Sequence, residues 1–287
     1  MTSAERATRQ ETANRIGRLT HFLKSLSCAC FLLSLSSPIM AQKNNLIDIG
    51  KTPHTTKLES SKPVDLKIEF GKVSKNSIFV SETWSHWGGS VVKGNDGLYH
   101  MLYSRWPKKL GWSWVVDSEI AHAVGPTPFG PFKHQAIATP RRGKDHWDGW
   151  CTHNPTVHKF GDKYYLYYMG NTGDGEIVGS PGKQRLNWQH RNNQRIGVAI
   201  ADNPAGPWTR MDEPVLDISR DDSASDALMT SNPSVCQRTD GSILMVYKAV
   251  GKKFKLPAGG PVVHMVAIAD QPTNGTIQEN ALPRLYV

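Results

Sequence analysis

A strand pattern that occurs three times between residues 80 and 275 is the feature that most restricts the fold of this chain. In each copy an alternating strand is followed by a turn rich in Asn, Asp, Gly or Lys and by a second strand, an order typical of a β-hairpin. The second strands of the hairpins cover residues 99–103, 164–168 and 243–247. A further strand of small residues follows each hairpin, at residues 120–123, 198–201 and 266–269.

The spacing of the copies indicates propeller blades. Tyr103, Tyr168 and Tyr247 end the second strands and are separated by 65 and 79 residues. These periods suit four-stranded blades with long loops, and helical periodicity is almost absent after residue 42. The sequence therefore predicts an all-β fold, a β-propeller. A β-sandwich is the alternative, because it also consists of serial hairpins.

The composition excludes several classes of protein. Hydrophobic residues make up 38% of the 287 residues and the mean hydropathy is −0.44, which excludes a polytopic membrane protein. The 25 aromatic residues are too many for a wholly disordered chain. The net charge of +9 does not indicate a nucleic-acid partner; it is compatible with acidic polysaccharide and equally with solubility alone. The tryptophans lie between Trp84 and Trp208, which suggests surfaces that stack on sugars, although Trp is also a common core residue.

The N-terminal segment has the features of an export signal. Arg15, Arg18 and Lys24 precede a short apolar run at residues 26–35, and small residues lead to Ala41. We therefore expect residues 1–41 to be a cleaved signal peptide and the mature protein to be periplasmic or extracellular, without stable membrane association. An uncleaved N-terminal anchor is the alternative.

The remaining chain divides into a polar segment and the repeat region. Residues 42–79 are predicted to form a linker or N-terminal strap, and residues 80–287 the propeller domain. Cys151 and Cys236 lie in this domain and could pair in an exported protein. The cysteine spacing contains no CxxC pattern, and we predict neither a metal site nor a cofactor.

The segments that lead into the first strands of the blades carry the candidate catalytic acids. In a propeller these strands line the central channel, where side chains from several blades converge. Asp148 and Asp226 each stand seven residues before a proline that follows an Asn, and Glu119 opens a strand of small residues. Cleavage of a glycosidic bond needs two carboxyl groups, so we interpret these three residues as catalytic candidates. The alternatives are turn capping for the two aspartates and a solvated strand end for Glu119.

Aromatic, amide and basic residues near the same strands are the candidates for holding a sugar. The candidates close to the strand entrances are Trp84, His86, Trp87, Trp150, His153, Asn154 and Asn232. Arg195 and Lys248 lie on later strands and could bind hydroxyl, carboxylate or sulfate groups. His264 could ligate an ion or a water on the axis, and a buried structural histidine is the alternative.

Three segments carry a resemblance to a known group of proteins. They are residues 154–157 with 163–168, residues 197–202 with 206–208, and residues 232–235 with 240–241. In these segments the sequence resembles the glycoside hydrolase family 43-like superfamily, the five-bladed propellers related to families 32, 62, 68, 117 and 130. The resemblance covers roughly residues 80–275. It implies an exported glycosidase that cleaves a plant or algal oligosaccharide or polysaccharide by carboxylate acid–base catalysis.

The sequence departs from the superfamily pattern in two respects. Members often place a catalytic acid in an Asp-Pro pair, whereas this chain has Asn154-Pro155 and Asn232-Pro233. Since some members use His as the acid, the resemblance implies that His153 or His86 could replace a carboxylate. About three blades are recognisable where the fold needs five, so we expect an incomplete propeller, truncated at its C-terminus or completed by association.

These departures leave alternatives to an active enzyme. A non-catalytic carbohydrate-binding propeller and an inactive truncated homologue are the other interpretations of the same pattern. Carbohydrate is the expected partner in each functional case. The resemblance is compatible with calcium on the axis, although calcium is not predicted, and the sequence predicts no oligomeric state.

Overall fold

The computed structural model describes residues 71–273. These residues belong to the second of the two units into which the chain divides, Met1–Ile68 and Glu69–Val287. The predicted signal peptide at 1–41, and the predicted strap up to residue 70, lie outside the described residues. Within 71–273, no helix has the length and apolar character needed to cross a membrane.

The first sheet has four antiparallel strands. It is formed by β1 (Trp84–Lys93), β2 (Tyr99–Pro107), β3 (Glu119–Gly125) and β4 (Lys133–Ile137), which pair in chain order. A short 3-10 helix, Lys75–Ser77, precedes the sheet. A second 3-10 helix, Lys108–Leu110, and helix α1 (Trp114–Asp117) connect β2 to β3.

The second sheet repeats this order with a longer insertion. The sheet contains β5 (Cys151–Phe160), β6 (Lys163–Asn171), β9 (Arg195–Ala201) and β10 (Thr209–Arg210). The insertion between β6 and β9 contains a separate small hairpin, β7 (Gly179–Ser180) and β8 (Lys183–Gln184), and helix α2 (Trp188–Asn192). The four-stranded sheet has the order β5-β6-β9-β10. In the described residues the third sheet contains three strands, β11 (Met229–Gln237), β12 (Ile243–Val250) and β13 (Val263–Ala269).

The first strands of the three sheets lie side by side at the centre. Strand β5 contacts both β1 and β11. The backbone N–H of Val157 donates to Ser90 Oγ on β1 at 3.0 Å, and Thr156 Oγ1 donates to the carbonyl of Pro233 on β11 at 2.7 Å. These contacts confirm that the first strand of each copy is the inner one. The described residues thus form three blades of a propeller that do not close into a ring, and the predicted all-β propeller is confirmed.

The core lies between adjacent blades. Leu102 and Ile120 of the first blade pack against Val157, Leu166 and Tyr168 of the second. A second cluster joins the second and third blades through residues that include Tyr167, Val198 and Tyr247. Because the middle strands are covered on both faces, they are apolar over most of their length, as in sheets that are buried on both sides.

Each first strand contains a β-bulge at the same place. The pairing register shifts between Trp87 and Ser90, between His153 and Thr156, and between Ser231 and Ser234. A bulge inserts an extra residue and redirects the side chains around it. The three equivalent bulges therefore turn side chains of three different blades toward a common region.

The two cysteines of the propeller region are not paired. Cys151 is buried at the start of β5, whereas Cys236 is exposed on β11, and both are free thiols. Burial raises the pKa of the Cys151 thiol to about 12, so it stays protonated. Cys151 therefore packs as a small apolar residue.

The interblade core provides a test of the fold. Replacing the fully buried Leu166 with Ala leaves a cavity between the first two blades. We expect the free energy of unfolding to fall by about 2–5 kcal/mol, measured by urea denaturation. The matched variant Leu98→Ala, at a side chain 40% exposed, should change it by less than about 0.5 kcal/mol. Equal losses in the two variants would contradict this packing.

Candidate functional site

A cavity of about 390 Å³ lies where the bulges of the three first strands meet. Its walls come from all three blades and from the connection between β2 and β3. The lining residues are Trp87, Trp106, Gly111, Trp112, Trp114, His153, Asn154, Asn232 and Lys248. Four indole rings surrounding amide, imidazole and amine groups form an apolar pocket with a few polar groups, the usual composition of a small-molecule site.

The bulge residues at the base of the cavity have a left-handed backbone. The φ angles are +58° at Gly88, +50° at Asn154 and +49° at Asn232. Glycine adopts this conformation freely, and Asn is among the side chains that adopt it most readily. A Cβ atom at Gly88 would lie 3.1 Å from Asn154 Oδ1, so the first two blades approach closely at this position.

A hydrogen bond connects the bulges of the second and third blades. Asn154 Nδ2 donates to Asn232 Oδ1 at 2.8 Å, and Ser231 Oγ donates to the same oxygen at 2.7 Å. The backbone N–H of Asn154 donates to Ser104 Oγ of the first blade at 2.8 Å. Three blades are thus held together at the cavity by neutral polar groups.

His153 is a buried, neutral histidine in the cavity wall. Its Nδ1 lies 2.7 Å from Ser118 Oγ, and its ring stacks on Trp114 with centroids 4.4 Å apart. Burial, and secondarily the charge of Lys248, lower the pKa of His153 to about 3. The imidazole is therefore uncharged near neutral pH and can take part in a hydrogen bond with a sugar hydroxyl.

The tryptophans occupy two depths of the cavity. Trp106 and Trp114 are partly buried, and Trp106 Nε1 donates to the carbonyl of Gly111 at 2.8 Å, which holds the β2–β3 connection in place. Trp87 and Trp112 are 61% and 71% exposed. Large exposed rings at a cavity mouth can stack on a flat ligand without rearrangement of the core.

The structure brings together five of the residues that the sequence suggested for substrate binding. They are Trp87, His153, Asn154, Asn232 and Lys248. Sequence reasoning missed Trp106, Trp112 and Trp114 as site residues. Their close spacing between residues 106 and 114 was the available signal.

Two further candidates line an adjacent cleft. Trp84 and His86 lie in a cleft of about 370 Å³ that shares Trp87 and Trp106 with the cavity. The guanidinium of Arg105 lies 4.2 Å from the Trp84 ring centre. His86 Nδ1 lies 3.2 Å from the carbonyl of Phe79, and burial lowers its pKa. These side chains extend the site along the first blade.

Three substrate-binding candidates are not in the cavity wall. The ring of Trp150 packs against His190 with centroids 6.1 Å apart. Arg195 forms an ion pair with Asp217, with Nε and Oδ1 2.5 Å apart. His264 is exposed on β13, so it is not the buried histidine expected there. In residues 71–273, no group of three or more His, Cys, Asp or Glu side chains could hold a metal ion.

Asp148 is a buried structural carboxylate and does not line the cavity. Oδ1 accepts from Arg142 Nε at 2.7 Å, and Oδ2 accepts from the Tyr168 hydroxyl at 2.5 Å and from Arg210 Nη1 at 3.3 Å. Burial, and then the charge of Asp148, raise the pKa of Tyr168 well above its usual value. This carboxylate joins the loop before β5 to β6 and β10.

The other two acid candidates also lie outside the cavity wall. Asp226 is fully buried, and its Oδ2 accepts from the Tyr247 hydroxyl at 3.2 Å. Glu119 Oε1 accepts from Arg105 Nε at 2.8 Å. In the second and third blades, the Asp before the first strand bonds the Tyr of the second strand. The repeated Asp is therefore part of the blade architecture, and the structure does not bring the three predicted acids to the cavity.

The ion pairs of Asp148 with Arg142 and Arg210 can be tested by measuring the stability of variants. Asp148→Ala leaves two partly buried guanidinium groups without their carboxylate, and we expect a loss of about 3–5 kcal/mol in unfolding free energy. Asp212 also pairs with Arg142, but its side chain is 86% exposed. Asp212→Ala should therefore cost at most about 1 kcal/mol by the same denaturation measurement. A loss in Asp148→Ala no larger than in Asp212→Ala would contradict the structural role.

The lowered pKa of His153 predicts a pH effect on stability. The unfolded chain takes up a proton on this side chain near pH 6.5, whereas the folded protein does so only near pH 3. Stability must therefore fall as the pH is lowered through this interval. Between pH 6.5 and 4.5 the wild type should lose about 2 kcal/mol more than His153→Gln, measured as unfolding free energies. Parallel pH profiles would show that His153 is not buried in its neutral form.

Among known proteins, the chain is similar to solved structures. No family model matches the chain, and no curated protein matches it. A family 117 glycoside hydrolase, Zg3597 from the marine bacterium Zobellia galactanivorans, is 24% identical with a TM-score of 0.51, covering 70% of this chain and 56% of that one. A GH43_1 enzyme from Xanthomonas citri is 16% identical with a TM-score of 0.46, covering 71% and 56%.

The likeness to Zg3597 shows the fold. The chain spans a little over half the length of the two solved structures. A propeller fold shared with Zg3597 is consistent with the three sheets of residues 71–273 and with the contacts between their first strands. The expected propeller fold is confirmed by this likeness.

Proposed function

We propose that the protein is a glycoside hydrolase that binds its saccharide in the cavity between the three blades. The observation that carries this proposal is the set of four tryptophans around His153, Asn154, Asn232 and Lys248. Sugar rings present apolar C–H faces that stack on indole and hydroxyl edges that need hydrogen-bond partners. The cavity offers both kinds of contact. The fold of the chain is similar to that of a family 117 glycoside hydrolase.

In this proposal the described residues of the cavity wall bind and position the saccharide. The neutral His153 and the two asparagine amides bind hydroxyl groups, and Trp87 and Trp112 hold the ring faces at the mouth. Hydrolysis also needs a proton donor and a base or nucleophile. To the described residues that line the cavity we assign substrate binding and positioning only. The predicted signal at residues 1–41 supports a periplasmic or extracellular site of action, and the plant or algal glycan is the substrate class that the family resemblance implies.

A second candidate function is saccharide binding without cleavage. One observation favours it: within residues 71–273, no Asp or Glu lines the cavity. A buried imidazole with a pKa of about 3 is also a poor proton donor at neutral pH, because it carries no extra proton there. The two functions share the cavity and differ in whether bound saccharide is cleaved.

The aromatic mouth provides the test of saccharide binding. Full-length protein is titrated with plant and algal oligosaccharides by calorimetry. Trp112→Ala and Trp87→Ala should each weaken binding by roughly fivefold to tenfold, since each removes a stacking ring worth about 1 kcal/mol. The matched control is Trp188→Ala, which removes a ring that is 40% exposed on α2 and does not line the cavity. Equal effects of the three changes would contradict the site.

Release of reducing ends from the same saccharides separates the two functions. Product formation that falls in Trp112→Ala and not in Trp188→Ala supports the hydrolase. Binding with the same variant pattern but without product formation identifies the second candidate. Absence of binding to every saccharide would overturn both.

A further inference from the structure

Lys248 is the charged residue in the described wall of the cavity. It lies on β12, opposite Ser231 of β11 and His264 of β13. The other lining residues are Trp, Gly, His and Asn, and none of those in residues 71–273 carries a negative charge. His153 in the same wall is neutral. The described wall of the cavity therefore carries a positive charge without a compensating negative one.

A second basic group acts on Lys248. The pKa of Lys248 is lowered by burial first and by the positive charge of Arg191 second. Arg191 lies on α2, where its Nη1 donates to the carbonyl of Ala258 at 3.0 Å and to Asn192 Oδ1 at 2.9 Å. Both partners of this guanidinium are neutral. Among the described residues, neither Lys248 nor Arg191 forms an ion pair with a carboxylate.

Partly buried cations in folded proteins are normally paired, because removing a charge from water without a counterion is unfavourable. Three largely buried guanidinium groups of this structure follow that rule: Arg142, Arg105 and Arg210 each have a carboxylate partner within 3.3 Å. Lys248 and Arg191 are exceptions among the described residues, and Lys248 lies in the cavity wall. An anionic group on the ligand would supply the missing counterion there.

We infer that the cavity selects an anionic saccharide, with a carboxylate or sulfate group of the sugar placed against Lys248 and its rings stacked on the tryptophans. This inference rests on the proposed saccharide site and adds the charge of the substrate to it. Carboxylate and sulfate share the chemistry that an ammonium group recognises, and Arg191 adds to the positive potential. A neutral sugar would leave Lys248 without a counterion.

The test compares matched pairs of polysaccharides. Polygalacturonate is compared with the same polymer after carboxyl reduction, and a sulfated galactan with its desulfated form. Affinities are measured with full-length protein by calorimetry at fixed salt. We expect one anionic polymer to bind at least tenfold more tightly than its neutral counterpart. The arm that shows this preference identifies the anion.

Three lysine variants separate site binding from general attraction to a basic protein. Lys248→Met keeps the aliphatic stem and removes the charge, and it should abolish the preference for the anionic polymer. Lys253→Met removes the same charge at an exposed position outside the cavity wall, and it should retain the preference. Lys248→Arg should largely restore it. The fold of each variant is checked by its thermal transition.

Three outcomes would overturn the inference. Equal losses in Lys248→Met and Lys253→Met would show general polyanion attraction. Equal binding of charged and neutral polymers, weakened in both cases by Trp112→Ala, would leave the saccharide site intact and remove its charge selectivity. Absence of binding to all four polymers, when other neutral oligosaccharides bind, would also reject an anionic substrate; failure of every saccharide would reject the proposed function itself.

Discussion

The close contact of three inner strands at their bulges determines where the cavity forms. Gly88, Asn154 and Asn232 each have a left-handed backbone at equivalent positions of the three blades. The Asn154 side chain reaches across to Asn232, and a larger residue at Gly88 would meet it. Residues that tolerate this conformation are therefore needed at these positions. The bulges then direct Trp87 and His153 toward the same space.

The need for a left-handed backbone at the bulges gives a structural reason for the two Asn-Pro pairs. Compared with the superfamily pattern, they look like losses of a catalytic acid. In the structure the asparagines adopt a backbone conformation that Asn tolerates well, and they bond to each other between blades. The nearby carboxylates of the predicted acids contact other residues of their own blades. Asp148 and Asp226 bond tyrosines of the adjoining strand and lie inside the blades.

The sequence was sufficient to predict the fold because hairpin alternation, turn residues and small-residue strands are local signals. Five of its candidates line the cavity: Trp87, His153, Asn154 and Asn232, whose positions relative to the inner strands follow from the repeat, and Lys248, which was predicted from its place on a later strand. The role of Asp148 was not predictable, because its partner Arg210 lies 62 residues away and meets it only in the folded sheet. Trp112 and Trp114 were missed because the connection after β2 reaches the cavity only through tertiary contacts such as the stacking of Trp114 on His153.

The central claim is that three blades present one shared binding site. Hydrogen–deuterium exchange of the full chain, with and without a saccharide that binds, tests this most directly. The account predicts slower exchange together in the segments 111–115, 151–158 and 229–236, because these contain the cavity wall or support it. Protection confined to the outer strands β4 and β10, with those three segments unchanged, would contradict it.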